Sequence, residues 1–397
     1  MTRHPVVQRS GAQAPITIGI VAGEASGDAL GAMVVAGVRA RLPNARFVGI
    51  AGPRMQDAGC ESWYPIEMLS VRGLIEVLGR LRQLAAMRRA LARRLRRERA
   101  RLFIGIDAPD FNLGLERRLK RGRMRTMHLV SPSVWAWRRD RIGGIARSVD
   151  RLLALFPFEP PIYEGSGLPV TFIGHPLAQH AAHDGSRRAA REVLRLPRAE
   201  PVVALLPGSR VGELEMHAEL LLDTAALLHA ERPEMRFLVP LATRPTRDRF
   251  EQALGARADV LPVTVLYGHA TDALEAADVA LVASGTATLQ AALARCPHVI
   301  FYRVHPLTAR MVRKRLLVPW VGLPNVLAGR FVVAELLQEN AAPENLAQAV
   351  LNLYDDSLVR KRIEALFAEF GAALTTDTGR LAADAVVEEL RRAGVPC

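Results

Sequence analysis

Cysteine is scarce in this chain of 397 residues, and no two of its cysteines stand in a CxxC spacing. Cys60, Cys296 and Cys397 make an odd total. This usage is typical of a reducing compartment, and it excludes a disulfide framework and a cysteine-rich zinc site. Aromatic residues are also few, at 5%, although 50% of the residues are apolar. A chain of this length and composition can bury a large core, and we expect two or three domains.

Long hydrophobic runs are absent as well. The first apolar run, Ile16 to Ala22, is too short for a signal-peptide core or a membrane span. No later run approaches the length of about 18 residues that a spanning helix needs. We therefore expect a cytoplasmic protein whose membrane contact is peripheral, with residues 1–14 forming a disordered tail.

Acidic residues are outnumbered by basic ones, which leaves a formal net charge of +13. Ten arginines and a single acid, Glu98, lie between Arg80 and Arg101. Apolar residues recur mostly at three- and four-residue steps from just before this segment through it: Leu74, Val77, Leu78, Leu81, Leu84, Leu91 and Leu95. The pattern predicts an amphipathic helix with a basic face. A solvated surface helix, a helix on an anionic membrane and a nucleic-acid contact are the open interpretations, although no nucleic-acid reader motif is present. The membrane interpretation rests on Leu74, Leu78, Leu81, Arg80, Arg82, Arg88 and Arg89.

Short β-rich runs alternate with helical patterns in both halves of the chain. This alternation predicts an α/β fold of two Rossmann-like domains that face a central cleft. We expect the first domain at 15–185, the second at 186–370, and a C-terminal helix in 371–397 that packs back on the first domain. The predicted strands are Thr17–Ala22, Arg46–Ile50, Leu102–Ile106, Thr126–Val130, Arg151–Ala154, Val170–Phe172, Val202–Leu206, Arg236–Val239, Thr264–Leu266, Val279–Val282 and His298–Tyr302.

Two turns of small residues in the second half follow predicted strands and open helices. Free N–H groups at a helix N-terminus and a bidentate arginine suit a diphosphate, and a glutamine one turn further can reach ribose hydroxyls. Either turn alone can be an ordinary capped helix start, but two in one domain favour a nucleotide site. A third loop offers Asn325 and by itself indicates only a turn. The residues of the two turns are Gly208, Ser209, Arg210, Ser284, Gly285, Thr286 and Gln290.

Acidic and polar residues mark the turns of the first half instead. Asp107 ends an apolar strand, where a carboxylate is unfavourable unless hydrogen-bonded and can be tuned to act as a base. Asp110 can equally cap a helix, and Trp135 can equally pack in the core. Since carboxylates repel phosphate, these turns suit a neutral, hydroxyl-rich sugar. The residues predicted to bind this sugar, which would be the acceptor of a group carried by the nucleotide, are Glu24, Ser26, Asp28, Asp110, Asn112, Ser133 and Trp135.

A series of short motifs runs from about Ile16 to beyond Gln338. In order, they are AGEASGDALGA, VGIAGPRM, GIDAPDFN, SPSVWAWR, FPFE, IGHP, LLPGSR, ASGTATL and LPNVLAG. This series resembles the lipid-A-disaccharide synthase family over most of the chain. The combination is very specific, whereas a single piece such as PGSR is not.

The resemblance implies a GT-B glycosyltransferase fold and an inverting transfer. In that reaction 2,3-diacylglucosamine moves from UDP-2,3-diacylglucosamine to the 6-hydroxyl of 2,3-diacylglucosamine 1-phosphate, which forms a β-1,6 bond and releases UDP. The resemblance also implies a peripheral enzyme on the cytoplasmic face of the inner membrane of a Gram-negative bacterium. The family's proposed base falls on Asp107, its donor-side residues on Arg210 and Asn325, and its functional glutamate on Glu24. Many members carry glutamate where this chain has Gln290.

We expect no cofactor and no metal, because arginine and helix N-termini can stabilise the charge that grows on departing UDP. We also expect no nucleic-acid partner and an anionic inner-membrane surface as a partner, and we leave a homodimer open. Another two-domain enzyme on UDP-sugars, such as a hexosamine epimerase or a peptidoglycan glucosaminyltransferase, is the first alternative. A non-enzymatic basic protein that binds nucleic acid is the second.

Overall fold

The computed structural model describes residues 15–69, 74–136, 138–181, 187–197, 199–306, 309–310 and 317–397, and leaves the side chains of 74–81 and 180–181 undescribed. The chain forms two compact units. Unit 1 consists of the residues up to Val134, Arg139–Gly174 and Asp377–Cys397, and unit 2 of Trp135–Arg138 and His175–Thr376. The predicted tail, residues 1–14, lies outside the described residues.

The division between the units differs from the boundaries at 185 and 370 that the sequence pattern predicts. It falls after Gly174, and the next residue, His175, donates its N–H to the carbonyl of Leu374 at 3.0 Å within unit 2. The last helix begins at Thr378 and belongs to unit 1.

Unit 1 is built on a seven-stranded sheet whose strand pairs are all parallel. Its strands are β1 (Ile16–Ala22), β2 (Ala45–Ile50), β3 (Cys60–Tyr64), β4 (Leu102–Ile106), β5 (Arg125–Leu129), β6 (Arg151–Ala154) and β7 (Val170–Phe172). They are ordered β3-β2-β1-β4-β5-β6-β7. Apolar clusters cover both faces of the sheet, as buried parallel strands require.

The helices of unit 1 connect these strands and pack on the two faces of the sheet. They are α1 (Ala25–Arg41), α2 (Pro53–Asp57), α3 (Leu74–Arg97), α4 (Pro109–Arg121), α5 (Ile142–Ser148) and, from the end of the chain, α15 (Thr378–Arg392). Helix α15 packs on α1, and the two approach so closely that a Cβ on Gly37 would lie 2.6 Å from the carbonyl oxygen of Gly379.

Unit 2 is built on a six-stranded parallel sheet. Its strands are β8 (Val202–Leu206), β9 (Arg236–Leu241), β10 (Val263–Tyr267), β11 (Val279–Ala283), β12 (His298–Tyr302) and β13 (Glu335–Leu337), in the order β10-β9-β8-β11-β12-β13. Its helices are α6 (Pro176–Ala181), α7 (Arg187–Val193), α8 (Val211–Glu231), α9 (Arg244–Leu254), α10 (Ala270–Ala276), α11 (Thr286–Leu293), α12 (Leu323–Ala328), α13 (Pro343–Asp355) and α14 (Ser357–Leu374).

The predicted α/β class is confirmed, and every predicted strand is present. The sequence pattern misses β3 and β13, which are edge strands in their sheets. Their sequences, CESWY and ELL, contain acidic residues and no β-branched residue, so neither strand shows the apolar run that marks the central ones. No helix among the described residues combines the length and the apolar character needed to cross a bilayer.

Candidate functional site

A cavity of about 420 Å³ opens at the carboxyl edge of the sheet of unit 2. The loops that follow β8, β9, β10 and β11 form its walls, which is the position where parallel α/β sheets bind ligands. All the predicted donor-binding residues except Asn325 line this cavity: Gly208, Ser209, Arg210, Ser284, Gly285, Thr286 and Gln290. The structure therefore brings together two turns that lie about seventy-five residues apart in the chain.

Glu213 shapes the first of these turns. Its Oε2 accepts the backbone N–H groups of Ser209 at 2.9 Å and Arg210 at 3.2 Å, and its Oε1 accepts the hydroxyl of Tyr302 at 3.0 Å. Burial, together with the negative charge of Glu213, raises the pKa of Tyr302 to about 12. Neither Glu213 nor Tyr302 is among the predicted site residues, although an acid three positions after a helix N-cap is a recognisable signal.

Gly208 is required where it stands. Its φ of +118° lies in a region that side-chain-bearing residues rarely adopt, and a Cβ there would lie 2.4 Å from Oε2 of Glu213. His217, one turn after Glu213 and fully buried, supports the same turn from below. Its Nδ1 lies 2.7 Å from the carbonyl oxygen of Pro207, and its Nε2 accepts the N–H of Arg303 at 3.1 Å. The two strand ends that carry the turn and Tyr302 are thereby tied together.

The second turn presents bare backbone to the cavity. Gly285 has a φ of +149°, and its carbonyl accepts the hydroxyl of Thr288 at 2.8 Å. Gln290, half-buried on α11, donates from Nε2 to the hydroxyl of Thr271 at 3.0 Å. The start of α10 is thus joined to α11 beside the cavity, a contact that the sequence pattern does not reveal.

Asn325, which the resemblance places on the donor side, is separate from the residues that line the cavity. It is completely buried and does not line the cavity. Its Oδ1 accepts the N–H groups of Val332 and Val333 at 2.7 and 3.0 Å, and its Nδ2 donates to the carbonyl of Val333 and to Glu335 at 2.9 and 2.8 Å. With its hydrogen-bonding capacity used inside the fold, Asn325 holds the α12–β13 connection in this structure.

In unit 1, Asp107 follows β4 directly and is half-buried. Asp107 and Ala108 both have positive φ, of 48° and 43°, which non-glycine residues rarely adopt. The Asp107 N–H donates to the carbonyl of Leu129 at 2.9 Å, and its carbonyl accepts Nδ2 of Asn112 at 2.8 Å. Two consecutive residues held in this conformation are typical of a functional position.

The acidic opening turn separates into an exposed part and a buried part. Glu24 and Ser26 are exposed at the start of α1. Asp28 is 3% exposed, and its carboxylate accepts the N–H groups of Arg54 at 3.0 Å and Met55 at 3.1 Å. Asp28 therefore satisfies the first turn of α2 in this structure, whereas Glu24 and Ser26 are available to a ligand.

The remaining predicted acceptor-binding residues differ in how far they are buried, and they do not all belong to the same unit. The side chain of Asp110 is 94% exposed and pairs with Arg141 at 3.1 Å, and Ala108 rather than Asp110 is the N-cap of α4. Asn112 is fully buried. Ser133 is exposed in unit 1, and Trp135 is half-buried in unit 2. Trp137, which the SPSVWAWR motif also contains, lies outside the described residues.

Helix α3 carries the predicted basic face. The side chains of Leu74, Leu78, Arg80 and Leu81 lie outside the described residues, whereas Arg82 and Arg89 are exposed. The guanidinium of Arg88 lies 5.6 Å from the centre of the Phe111 ring on α4. A groove of about 590 Å³ between α3 and α4 is lined by Arg88, Arg89, Arg96, Arg117, Arg118 and Arg121, and by no acidic residue.

The two sheets define the class of this protein: each unit is a parallel α/β layer structure with polar turns at its carboxyl edge, as in GT-B glycosyltransferases. The glycotransferase of kitacinnamycin has a similar crystal structure, with a TM-score of 0.60 at 16% identity, covering 94% of this chain and 99% of that one. UDP-GlcNAc 2-epimerase from Neisseria meningitidis, solved with UDP-GlcNAc, gives a TM-score of 0.58 at 12% identity, with coverage of 95% and 99%. These similarities show the GT-B fold.

Sequence relatives define the family within this fold. The family described as lipid-A-disaccharide synthetase matches residues 18–386. Lipid-A-disaccharide synthase of Dechloromonas aromatica is 50% identical over 375 residues, which is 94% of this chain and 98% of that protein. The synthase of Chromobacterium violaceum is 51% identical over 377 residues, with coverage of 95% and 98%.

The chain therefore belongs to the lipid-A-disaccharide synthase family, as its motifs predict. It is a glycosyltransferase of lipid A biosynthesis that uses a UDP-sugar donor and a sugar acceptor. The assignment rejects the hexosamine epimerase, the peptidoglycan glucosaminyltransferase and the nucleic-acid-binding protein as alternatives.

Proposed function

We propose that this enzyme transfers 2,3-diacylglucosamine from UDP-2,3-diacylglucosamine to the 6-hydroxyl of 2,3-diacylglucosamine 1-phosphate with inversion at the anomeric carbon. The products are the β-1,6-linked lipid A disaccharide 1-phosphate and UDP. The observation that carries this proposal is the identity of about one half to lipid-A-disaccharide synthases over nearly the whole of both chains.

Unit 2 binds the donor in this proposal. Arg210 is exposed at the cavity, and its guanidinium can contact a diphosphate through two parallel hydrogen bonds. The N–H groups of Gly285 and Thr286 belong to the turn that lines the same cavity at the start of α11, where the helix dipole favours an anion, whereas the N–H of Ser284 donates to the carbonyl of Phe301. Together they stabilise the charge that grows on UDP as the glycosidic bond breaks, so no metal is needed for this step.

Unit 1 binds the acceptor, and Asp107 acts as the base. An inverting transfer requires one carboxylate that removes the proton from the attacking hydroxyl on the face opposite the leaving group. Asp107 fits this role because it is partly accessible at the carboxyl edge of its sheet and is held in a strained turn. Glu24 and Ser26, exposed in the neighbouring β1–α1 turn, are proposed to hydrogen-bond the acceptor sugar.

The reaction itself is tested by mass spectrometry of the products formed from the two diacylated substrates, with the anomeric configuration read from the proton coupling. We expect a disaccharide monophosphate with a β linkage, formed at the same rate in the presence of a chelator. A product of α configuration would contradict inversion, and loss of activity in the chelator would contradict the metal-independent mechanism.

We further propose that α3 brings the enzyme to the cytoplasmic face of the inner membrane. Both substrates carry acyl chains, and the α3–α4 groove has uncompensated positive charge that suits anionic headgroups. None of the six arginines that line this groove forms an ion pair with a described residue. Arg82, exposed nearby on α3, adds to the same charge.

The membrane contact is tested by flotation with vesicles that contain anionic phospholipid. A variant with Arg80, Arg82, Arg88 and Arg89 changed to serine is expected to float less than the wild-type enzyme, and added salt is expected to weaken the wild-type binding. Equal flotation of both proteins at low salt would contradict the membrane role and show that α3 is an ordinary surface helix.

A further inference from the structure

A polar pair lies buried beneath the Asp107 turn of unit 1. Glu116 on α4 and His128 on β5 are both fully buried, and Oε1 of Glu116 lies 2.7 Å from Nδ1 of His128. The pair sits between α4 and the sheet, beside a cluster that is otherwise apolar. Neither residue is among the predicted site residues.

The strand beside this pair is adapted to it. Gly105 of β4 is paired with His128 of β5. A Cβ on Gly105 would lie 2.1 Å from Oε1 of Glu116 and 2.9 Å from Cβ of Asn112. Only glycine leaves room for the carboxylate, although glycine in a strand interior weakens the strand. Gly105 therefore lies against both Glu116 and Asn112, whose side chain donates to the carbonyl of Asp107.

Hydrogen bonds from α4 and from β5 hold the Asp107 turn on two sides. Asn112 lies one helical turn before Glu116, and its Nδ2 donates to the carbonyls of Val21, Ile106 and Asp107 at 3.4, 3.2 and 2.8 Å. On the other side, the N–H of Asp107 donates to the carbonyl of Leu129, the residue that follows His128. The Glu116–His128 bond joins the two sides, because it ties α4 to β5.

Stability alone does not account for this arrangement. A buried polar pair is commonly no more stable than apolar residues of the same volume. Burial raises the pKa of Glu116, against the opposing effect of His128. Moreover, Oε2 of Glu116, Nε2 of His128 and Oδ1 of Asn112 are buried without a hydrogen-bond partner among the described residues. A strained turn, by contrast, persists only where several contacts from the surrounding structure hold it in place.

We infer that Glu116 and His128 are positioning residues, which hold the strained Asp107–Ala108 turn through Asn112 on one side and Leu129 on the other. The inference rests on the proposed role of Asp107 as the base. Its consequence is that loosening the pair displaces the carboxylate and slows the chemical step, while the donor-binding cavity in unit 2 is unaffected.

The test compares Glu116→Ala, Glu116→Gln and His128→Gln in the full-length enzyme, with steady-state rates, UDP calorimetry and thermal melts. Glu116→Ala is expected to lower kcat at least tenfold with the KM for the donor and the UDP affinity within twofold of wild type. Glu116→Gln fills the same volume and can still bond His128, so it is expected to recover most of the rate. His128→Gln supplies a milder variant if Glu116→Ala does not fold.

The matched control is Glu389→Gln. Glu389 is also a fully buried carboxylate of unit 1, but it bonds Arg125 and Arg151, the first residues of β5 and β6, at the other edge of the sheet. Glu389→Gln is expected to lower the melting temperature without changing kcat of the folded enzyme. If Glu116→Ala or His128→Gln, when folded, behaves in the same way, the positioning role is wrong.

A second comparison separates this inference from the proposed base. Asp107→Asn is expected to slow turnover at least about a hundredfold, since general-base catalysis contributes roughly 10²–10⁴-fold. Near-normal turnover of Asp107→Asn would reject the base itself. If Asp107→Asn is slow, adding Glu116→Ala is expected to reduce the rate no further. An additional tenfold loss in the double variant would show that Glu116 acts somewhere other than through Asp107.

Discussion

Replacing Gly208 by alanine tests whether the first cavity turn must keep its present shape. The new methyl group would lie 2.4 Å from Oε2, 2.9 Å from Cβ and 2.9 Å from Cδ of Glu213. The φ of +118° is itself strained for alanine, which costs about 1–3 kcal/mol. The turn can relieve the overlap only by moving or by expelling Glu213, and expulsion breaks its bonds to Ser209 and Arg210.

The expected outcome of Gly208→Ala has two measurable parts. The melting temperature of a unit of this size should fall by roughly 2–4 °C for each kcal/mol lost. UDP affinity should fall tenfold or more, because a displaced turn loses at least one hydrogen bond to a charged phosphate, worth about 1.5–3 kcal/mol. Calorimetry with UDP and a thermal melt of the same sample measure both.

Gly212→Ala is the matched control, four residues further along the chain. Gly212 lies in the first turn of α8, is exposed, and has nothing within 4 Å of the site where a Cβ would be added. Alanine is favoured over glycine within a helix by roughly 0.5–1 kcal/mol, so this variant should be as stable as wild type or slightly more so. Its UDP affinity should not change. Equal UDP affinities for the two variants would refute the argument that the PGSR turn forms the diphosphate site.

Three further predictions concern unit 2. Arg210→Ala should weaken UDP binding by about 1.5–3 kcal/mol, whereas Arg244→Ala, which removes an exposed arginine of the same unit, should leave UDP binding unchanged. If calorimetry finds equal UDP affinities for the two variants, Arg210 is not part of the donor site. Gln290→Glu should keep most activity because it can still bond Thr271 and a ribose hydroxyl, and Gln290→Leu should lose clearly more; rate measurements on both variants decide this. Burial lowers the pKa of His298 from 6.5 to about 4, so as the pH drops the unfolded chain takes up the proton first. The free energy of unfolding therefore falls between pH 6.5 and pH 4. Thermal melts should show a smaller loss of stability over this range for His298→Gln than for wild type, and identical pH profiles would contradict the prediction.

Much of the fold follows from local patterns in the sequence. The apolar runs that became β1, β4, β8 and β11 are buried along their whole length, so a continuous apolar segment was sufficient to predict them. The edge strands β3 (CESWY) and β13 (ELL) were missed because they are short and carry acidic residues, whereas the edge strands β7 (VTF) and β10 (VTVLY) are rich in β-branched residues and were predicted. The family could also be predicted, since an ordered set of turn motifs depends on residue identity and spacing alone.

The candidate site was only partly predictable. The sequence identified the two turns that line the cavity, because glycine, serine and threonine at a strand-to-helix junction have a direct backbone meaning. It could not show that Asp28, predicted as an acceptor-binding residue, is buried with its carboxylate bonded to the N–H groups of α2. Nor could it show that Asn325 is enclosed within the fold.

The sequence by itself determined the α/β class, the family and the two turns that line the cavity of unit 2, because each of these depends on residues that are close in the chain. Only the tertiary structure decided which polar side chains are exposed or line a cavity and which are bonded to the backbone inside the fold. That choice depends on partners far away in sequence, such as Tyr302 for Glu213 and His128 for Glu116. A carboxylate has the same local signature in either role, and only its packed neighbours separate the two.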